Sequence, residues 1–316
     1  MRICLMIEGQ EDVGWEEWVA LARACEDNNL EGLFRSDHYA SVSGRMDNGS
    51  LDAWATLTAL GAVTERIRLG TCVSPASFRH PSVLAKGVTT ADHVSDGRVE
   101  LGMGAGWSEV EHVAYGFPFH DTSTRMEMLA EQIEIVHRQW TEEVFSFEGK
   151  HYSLSELRAL HKPVQRPHPP LIVGGSAKPK TARLAALWAD EYNILTPSPD
   201  ECRVARQRLE SAWAGADRDP DELRLSVMTG CLVGANRTEL LDRIENRLDK
   251  TGESSDPEEW LRRESNGQVV GTVDEVATHL TAIKDAGVDR VMLQHLDHSD
   301  LEMVALIGRE LVPALA

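Results

Sequence analysis

Cysteine is scarce in this chain, and what there is lies scattered. Cys4, Cys25, Cys72, Cys202 and Cys231 are odd in number and never form a CxxC pair. Neither a disulfide framework nor a zinc knuckle is expected, and a reducing cytoplasm fits. Long hydrophobic runs are missing too: no stretch approaches the roughly 20 apolar residues that cross a bilayer. The N-terminal MRICLMIEGQ has a short apolar run before Glu8 and no cleavage-site pattern after it, so no secretory leader is expected. Positive charge is in deficit, with 32 Lys and Arg against 51 Asp and Glu and a formal net charge of −19. Such a surface repels phosphate backbones and anionic membranes, so neither is an expected partner. A phosphate-bearing ligand would need a local device that overrides this field. The 12 histidines form no HExxH and no HxH after a first strand, so a metallohydrolase barrel lacks its ligands and no metal site is expected. Without GxSxG, a serine hydrolase is set aside as well.

What is present is a rhythm. The 316 residues suit one large α/β domain, and with 42% hydrophobic and 26% charged residues the chain can bury a sizeable core and stay soluble. Short apolar runs at Ile3–Ile7, Gly32–Phe34, Ile67–Val73 and Val99–Met103 alternate with segments of helical periodicity. Trp15, Trp18, Val19, Ala22 and Cys25 form one such helical face. The pattern resumes with strand candidates at Leu171–Val173, Tyr192–Leu195, Leu223–Met228 and Val288–Leu293, and with Ala177 to Trp188 as a helix. Strands alternating with helices imply parallel pairing, because a parallel pair needs a long crossover. At about eight units, closure into a (β/α)8 TIM barrel is the commoner solution than an open doubly wound sheet. Residues 1–316 are therefore read as a single barrel domain. Two polar stretches interrupt it: a rim insertion at about 141–169 and a charge-rich helical insertion at about 235–268.

In such a barrel the active site forms at the C-terminal ends of the strands. After the second strand come Asp37, His38 and Tyr39; a His beside an acid can exchange protons near neutral pH, although Asp37 could equally cap a turn. After the third, Thr71 to Pro75 reads as a strand stop, with Pro81 suited to a first helical turn. After the fourth, Gly102, Gly104, Ala105 and Gly106 let a backbone approach a ligand closely. They do not form a dinucleotide fingerprint, since Trp107 stands where GxGxxG requires glycine. After the fifth, Gly174, Gly175 and Ser176 open a helix whose N–H groups and dipole suit a phosphate; a plain Ser N-cap is the alternative.

The run RIRLGTCVSPASFRHPSVLAKGVTTADHVSDGRVELGMGAGWSEVEHVAYG resembles the central stretch of the luciferase-like flavin monooxygenases and their deazaflavin-dependent relatives. FRSDHY, FHDTSTRMEML, FEGKHY and PPLIVGGSAKPKTARLAALWADEYN resemble further family segments in the expected order. The resemblance covers residues 1 to about 200 strongly and the remainder loosely. It implies a bacterial-luciferase-like barrel with a flavin or deazaflavin ring at its mouth, and a non-prolyl cis peptide at Cys72–Val73 behind that ring. It also implies cofactor contacts from Asp37, Cys72, Val73, Ala105, Gly106, Gly174, Gly175 and Ser176.

On this resemblance the expected activity is an F420-dependent oxidoreductase that moves a hydride between the deazaflavin and a small organic substrate. His38 handles the coupled proton and Asp37 orients or charge-balances it, with Trp107 and Tyr39 lining the substrate pocket. The sugar-phosphate dehydrogenases of the family carry a glutamate where Trp107 stands, so a sugar-phosphate substrate is not expected. The rival readings are an FMN-dependent luciferase-like monooxygenase and a cofactor-binding barrel without turnover. Relatives are commonly dimers, so a homodimer is the expected assembly.

Overall fold

The computed structural model describes residues 1–316 apart from positions 43, 46, 197 and 266. Eight parallel strands close on one another: β1 (Arg2–Ile7), β2 (Gly32–Arg35), β3 (Arg68–Thr71), β4 (Val99–Gly104), β5 (Leu171–Gly174), β6 (Glu191–Leu195), β7 (Arg224–Gly234) and β8 (Arg290–Gln294). Each pairs in parallel with its neighbours in sequence order. Closure comes from β8 against β1, with Arg2 opposite Arg290 and Met6 opposite Gln294. The β/α barrel expected from the rhythm is the fold of this chain.

Alternation along the strands sorts the core into two layers. Ile3, Leu5 and Ile7 of β1 face the helices and join the large core between sheet and helical shell. Cys4 and Met6 face the lumen, where they meet Phe34, Cys72, Ile172 and Met292. The helices supply matching stripes: in the helix Trp15–Asp27, Trp18, Leu21, Ala22 and Cys25 are buried. Starts are set by short-range chemistry, such as the Ser198–Glu201 capping box of the helix Pro199–Ala214, or Pro81 opening the helix Pro81–Val94.

The lower end of the lumen is closed by charge. Arg290, at the start of β8, is 2.7 Å from both Glu100 of β4 and Glu191 of β6, and all three are buried. Burial pushes the Glu100 carboxyl up, but Arg290 and Arg68 outweigh it and hold it at about 2. Glu191 goes the other way, raised by burial and by the neighbouring Glu100 charge despite Arg290. A buried cation between two carboxylates is costly to break, because removing one partner strands the others without solvent.

Two expectations need correction. The third strand is not continuous from Ile67 to Val73. It stops at Thr71, passes through the cis Cys72–Val73 peptide, and resumes as Ser74–Pro75 against Met103 and Gly104 of β4. The seventh strand does not end at Met228. It runs on to Gly234, where Cys231 to Gly234 pair with a short strand, Val269–Thr272, outside the barrel circuit. Between them lie the helices Arg237–Thr251 and Pro257–Glu264. In the earlier interruption, Phe145–Glu148 and Ser153–Leu157 form an antiparallel hairpin. Its turn is gripped by Glu131, which accepts from the amides of Lys150, His151 and Tyr152.

Candidate active site at the barrel mouth

A cavity of about 1110 Å³ opens at the C-terminal end of the barrel. That is the upper end of the range for small-molecule sites. His38, Cys72, Val73, Ala105, Gly106, Trp107, Gly174, Gly175 and Ser176 all line it, although β2, β3, β4 and β5 supply them separately. Asp37 and Tyr39 do not line it. Asp37 is buried beneath, in a bidentate ion pair with Arg79 at 2.6 and 3.1 Å, and it accepts 2.6 Å from the Ser74 hydroxyl. Tyr39 packs its ring against Phe78, Tyr115 and Phe117.

The partner of the His38 ring is therefore not Asp37. It is Glu111, whose Oε1 lies 2.7 Å from Nδ1 while its Oε2 accepts from the Tyr39 amide at 2.9 Å. Glu111 stands on the short helix Glu109–Tyr115 and is 1% exposed. Burial pulls the His38 pKa down, but the hydrogen bond and charge of Glu111, helped by Glu8 and Asp37, more than offset it. The ring sits above its ordinary value of 6.5. With Nδ1 engaged, Nε2 is the nitrogen left for the cavity, and the Trp107 indole stands edge-on to the ring with centroids 5.8 Å apart. The chemistry available is a proton delivered or taken at Nε2.

The cavity floor is Val73, and glycines make room for it. A Cβ on Gly104 would lie 2.7 Å from a Val73 methyl, and one on Gly174 would lie 3.0 Å away. Larger residues there would drive the isopropyl group out of its slot. Next to this floor, Gly106 adopts φ +77, in the left-handed region open to glycine, and its carbonyl accepts from the buried Arg125.

The fifth strand's loop differs in one respect from the expected helix start. The helix begins at Pro179 with Lys178 as its N-cap, so Ser176 is not the cap. Gly175 donates its amide to the Asn193 carbonyl at 3.0 Å and Ala177 donates to the Tyr192 hydroxyl at 3.0 Å. The amide and hydroxyl of Ser176 have no protein partner among the described residues, and Ser176 lines the cavity. A flat ring over Val73 with a phosphate at Ser176 would fit these residues, so the donor set matches a flavin-type cofactor.

Sequence reasoning overlooked several lining or supporting groups. Glu8, at the end of β1, is held by Gln294 at 2.5 Å and Gln10 at 2.7 Å. Asn193, Met228 and Arg208 also line the cavity. Glu111 carried no local signal that separates it from Glu109, because only the folded helix decides which carboxylate turns inward.

The sequence profile of the luciferase-like monooxygenase family matches residues 3–290, and the chain belongs to that family. An uncharacterized protein of Mycobacterium tuberculosis is 38% identical over 170 residues, covering 54% of this chain and 58% of that relative's length. An F420-dependent glucose-6-phosphate dehydrogenase of Microbacterium testaceum is 27% identical, covering 96% of this chain and 95% of the relative. An FMNH2-dependent dimethylsulfone monooxygenase of Pseudomonas putida is 26% identical, covering 81% and 76%. Among solved structures, a monooxygenase from Streptomyces bottropensis superposes with TM-score 0.84 at 23% identity, covering 100% of both chains. An F420-dependent secondary alcohol dehydrogenase does so at 0.82 and 19%, covering 100% of this chain and 99% of the other. No helix among the described residues is long and apolar enough to cross a membrane.

Proposed function

We propose that this chain is an oxidoreductase that holds coenzyme F420 over Val73 and transfers a hydride to a small, uncharged organic substrate. The observation that carries the reading is the His38–Glu111 pair at 2.7 Å on the wall of the 1110 Å³ cavity. When bound, the deazaflavin supplies a hydride from its C5 position. His38, whose protonated form Glu111 favours, donates the matching proton from Nε2, so an unsaturated substrate gains one hydride and one proton. Beside it, the part-buried Arg79 and buried Ser74 fix Asp37 and with it the backbone that presents His38. Trp107 roofs the site with an apolar face, which suits an aromatic or aliphatic substrate better than a sugar phosphate. Ser176 would hold the cofactor phosphate, with Gly174 and Gly175 allowing close approach. The Microbacterium relative, matched over nearly its whole length, supports F420.

FMN is the second reading, favoured by the dimethylsulfone monooxygenase relative. Fluorescence titration with both cofactors separates them. F420 is expected to bind at micromolar affinity or better, about −8 kcal/mol. Tight FMN binding with no response to F420 would transfer the case to the monooxygenase.

A further inference from the structure

A second recess of about 620 Å³ lies between the helices Pro179–Trp188 and Pro199–Ala214. Its walls are two facing stripes at helical spacing, Ala182, Arg183 and Leu187 on one side and Val204, Arg208 and Ser211 on the other. Val204 and Arg208 line the large cavity as well, so the two spaces share a wall. Pro179, at the groove's near end, is three residues beyond Ser176.

The charge of this groove runs against the molecule. In a chain of net charge −19, no carboxylate lines it, while two guanidinium groups do. Neither Arg183 nor Arg208 has an ion-pair or hydrogen-bond partner among the described residues. Other arginines of the same helix are neutralised: Arg203 pairs with Asp200, and Arg206 with Glu210 and Asp289. Only the cation that turns towards the groove is left unpaired. Gln207 adds a neutral donor, and Leu187 and Ala182 offer an apolar strip for a methylene chain. Such a surface suits an extended ligand bearing several carboxylates on short aliphatic stems.

We infer that this groove binds the oligo-γ-glutamyl tail of the deazaflavin cofactor, which leaves the barrel mouth past Ser176 and lies between the two helices. The assignment rests on the F420 reading above. An FMN molecule ends at its phosphate and would leave the groove unused, so the groove is a specificity element as well as a docking strip.

The test is fluorescence titration of the whole chain with three probes: the tail-less deazaflavin FO, F420 with a short glutamyl tail, and F420 with a long one. Wild type is expected to bind the long-tailed form about tenfold more tightly than the short, with the advantage fading as salt rises. In Arg183→Glu and in Arg183→Ala that ratio is expected to fall to about one. FO binding, read in the same variants, reports that the barrel is intact. Equal affinity for both tails in wild type, or a ratio that survives the substitutions, overturns the groove assignment and leaves the F420 reading standing. Binding of FMN with no response to any deazaflavin overturns both.

Discussion

Nδ1 of His38 lies 2.7 Å from Oε1 of Glu111, a carboxylate 73 residues further along the chain. The pair is assembled by the barrel: one residue follows β2, and the other stands on the helix that follows β4. Burial by itself disfavours the charged imidazole, and the carboxylate's hydrogen bond and charge reverse that preference.

Glu111→Gln should therefore lower the His38 pKa, because the hydrogen bond and the charge that raise it are both removed. Histidine NMR titration reads this directly, and an unchanged value would show that Glu111 does not hold the proton. The linkage has a definite sign. Because the folded pKa is raised, the pair's contribution to stability is full below the unfolded value of about 6.5. It is lost as pH rises through the folded value, so the gap between wild type and variant should narrow on the alkaline side.

Acid should act on two other histidines. Burial lowers His295 to about 4, and burial followed by the His168 charge lowers His137 to about 4. The buried Nδ1 of His137 has no hydrogen-bond partner. Both rings are neutral in the fold, so their contribution is present above the unfolded pKa of about 6.5 and lost as pH falls towards 4. Urea midpoints measured between pH 7 and pH 4.5 should fall, and His137→Phe should flatten the dependence. An equal slope in the variant would remove His137 from the account.

At the base of the lumen, Arg290→Met should destabilise by about 3–5 kcal/mol, since Glu191 loses its close cation and buried Glu100 keeps only Arg68. The deficit should shrink in acid, where Glu191, already raised and no longer countered by Arg290, takes up a proton. Urea unfolding at pH 7 and pH 5 checks both statements; a pH-independent deficit would point to lost packing instead of charge.

The fit of Val73 can be examined by a double-mutant cycle. Gly104→Ala puts a methyl where only 2.7 Å is available, and overpacking of this kind costs about 1–3 kcal/mol. Trimming the opposing group in Gly104→Ala/Val73→Ala should return much of that loss, a coupling of about 1 kcal/mol or more. Simple additivity would show that Val73 and Gly104 do not compete for this space.

The barrel was legible because its signal is repeated: runs such as Ile3–Ile7 and Val99–Met103 alternate with helical stripes, and each repeat supports the others. Strand ends were read less well. The break after Thr71 and the continuation beyond Met228 depend on pairing with Ser74–Pro75 and Val269–Thr272, which no local pattern announces. The same holds for the site. His38 and the glycines stand next to strand ends and could be picked out by position, whereas Glu111, Glu8 and Arg79 reach their partners only through tertiary contacts. Asp37 was legible as a charged neighbour of His38, whereas its bidentate pairing with Arg79 and the choice of Glu111 as the ring's hydrogen-bond partner were not.

The overhang of β7 beyond the barrel circuit has a consequence for how the chain tolerates change. From Cys231 onwards the strand is committed to Val269–Thr272, and the two helices between them span one cantilevered ledge. The ledge is tied back by the ion pairs Lys250–Asp297 and Arg243–Asp300 after β8. Residues 253–256, between the two helices, take no part in barrel strand pairing, so exchanges there that keep the Asp256 cap and the Glu253–Arg263 pair leave the circuit untouched. The two helices themselves are anchored in the core by Leu240, Ile244, Leu248, Trp260 and Leu261, so tolerance to change is confined to the short link between them.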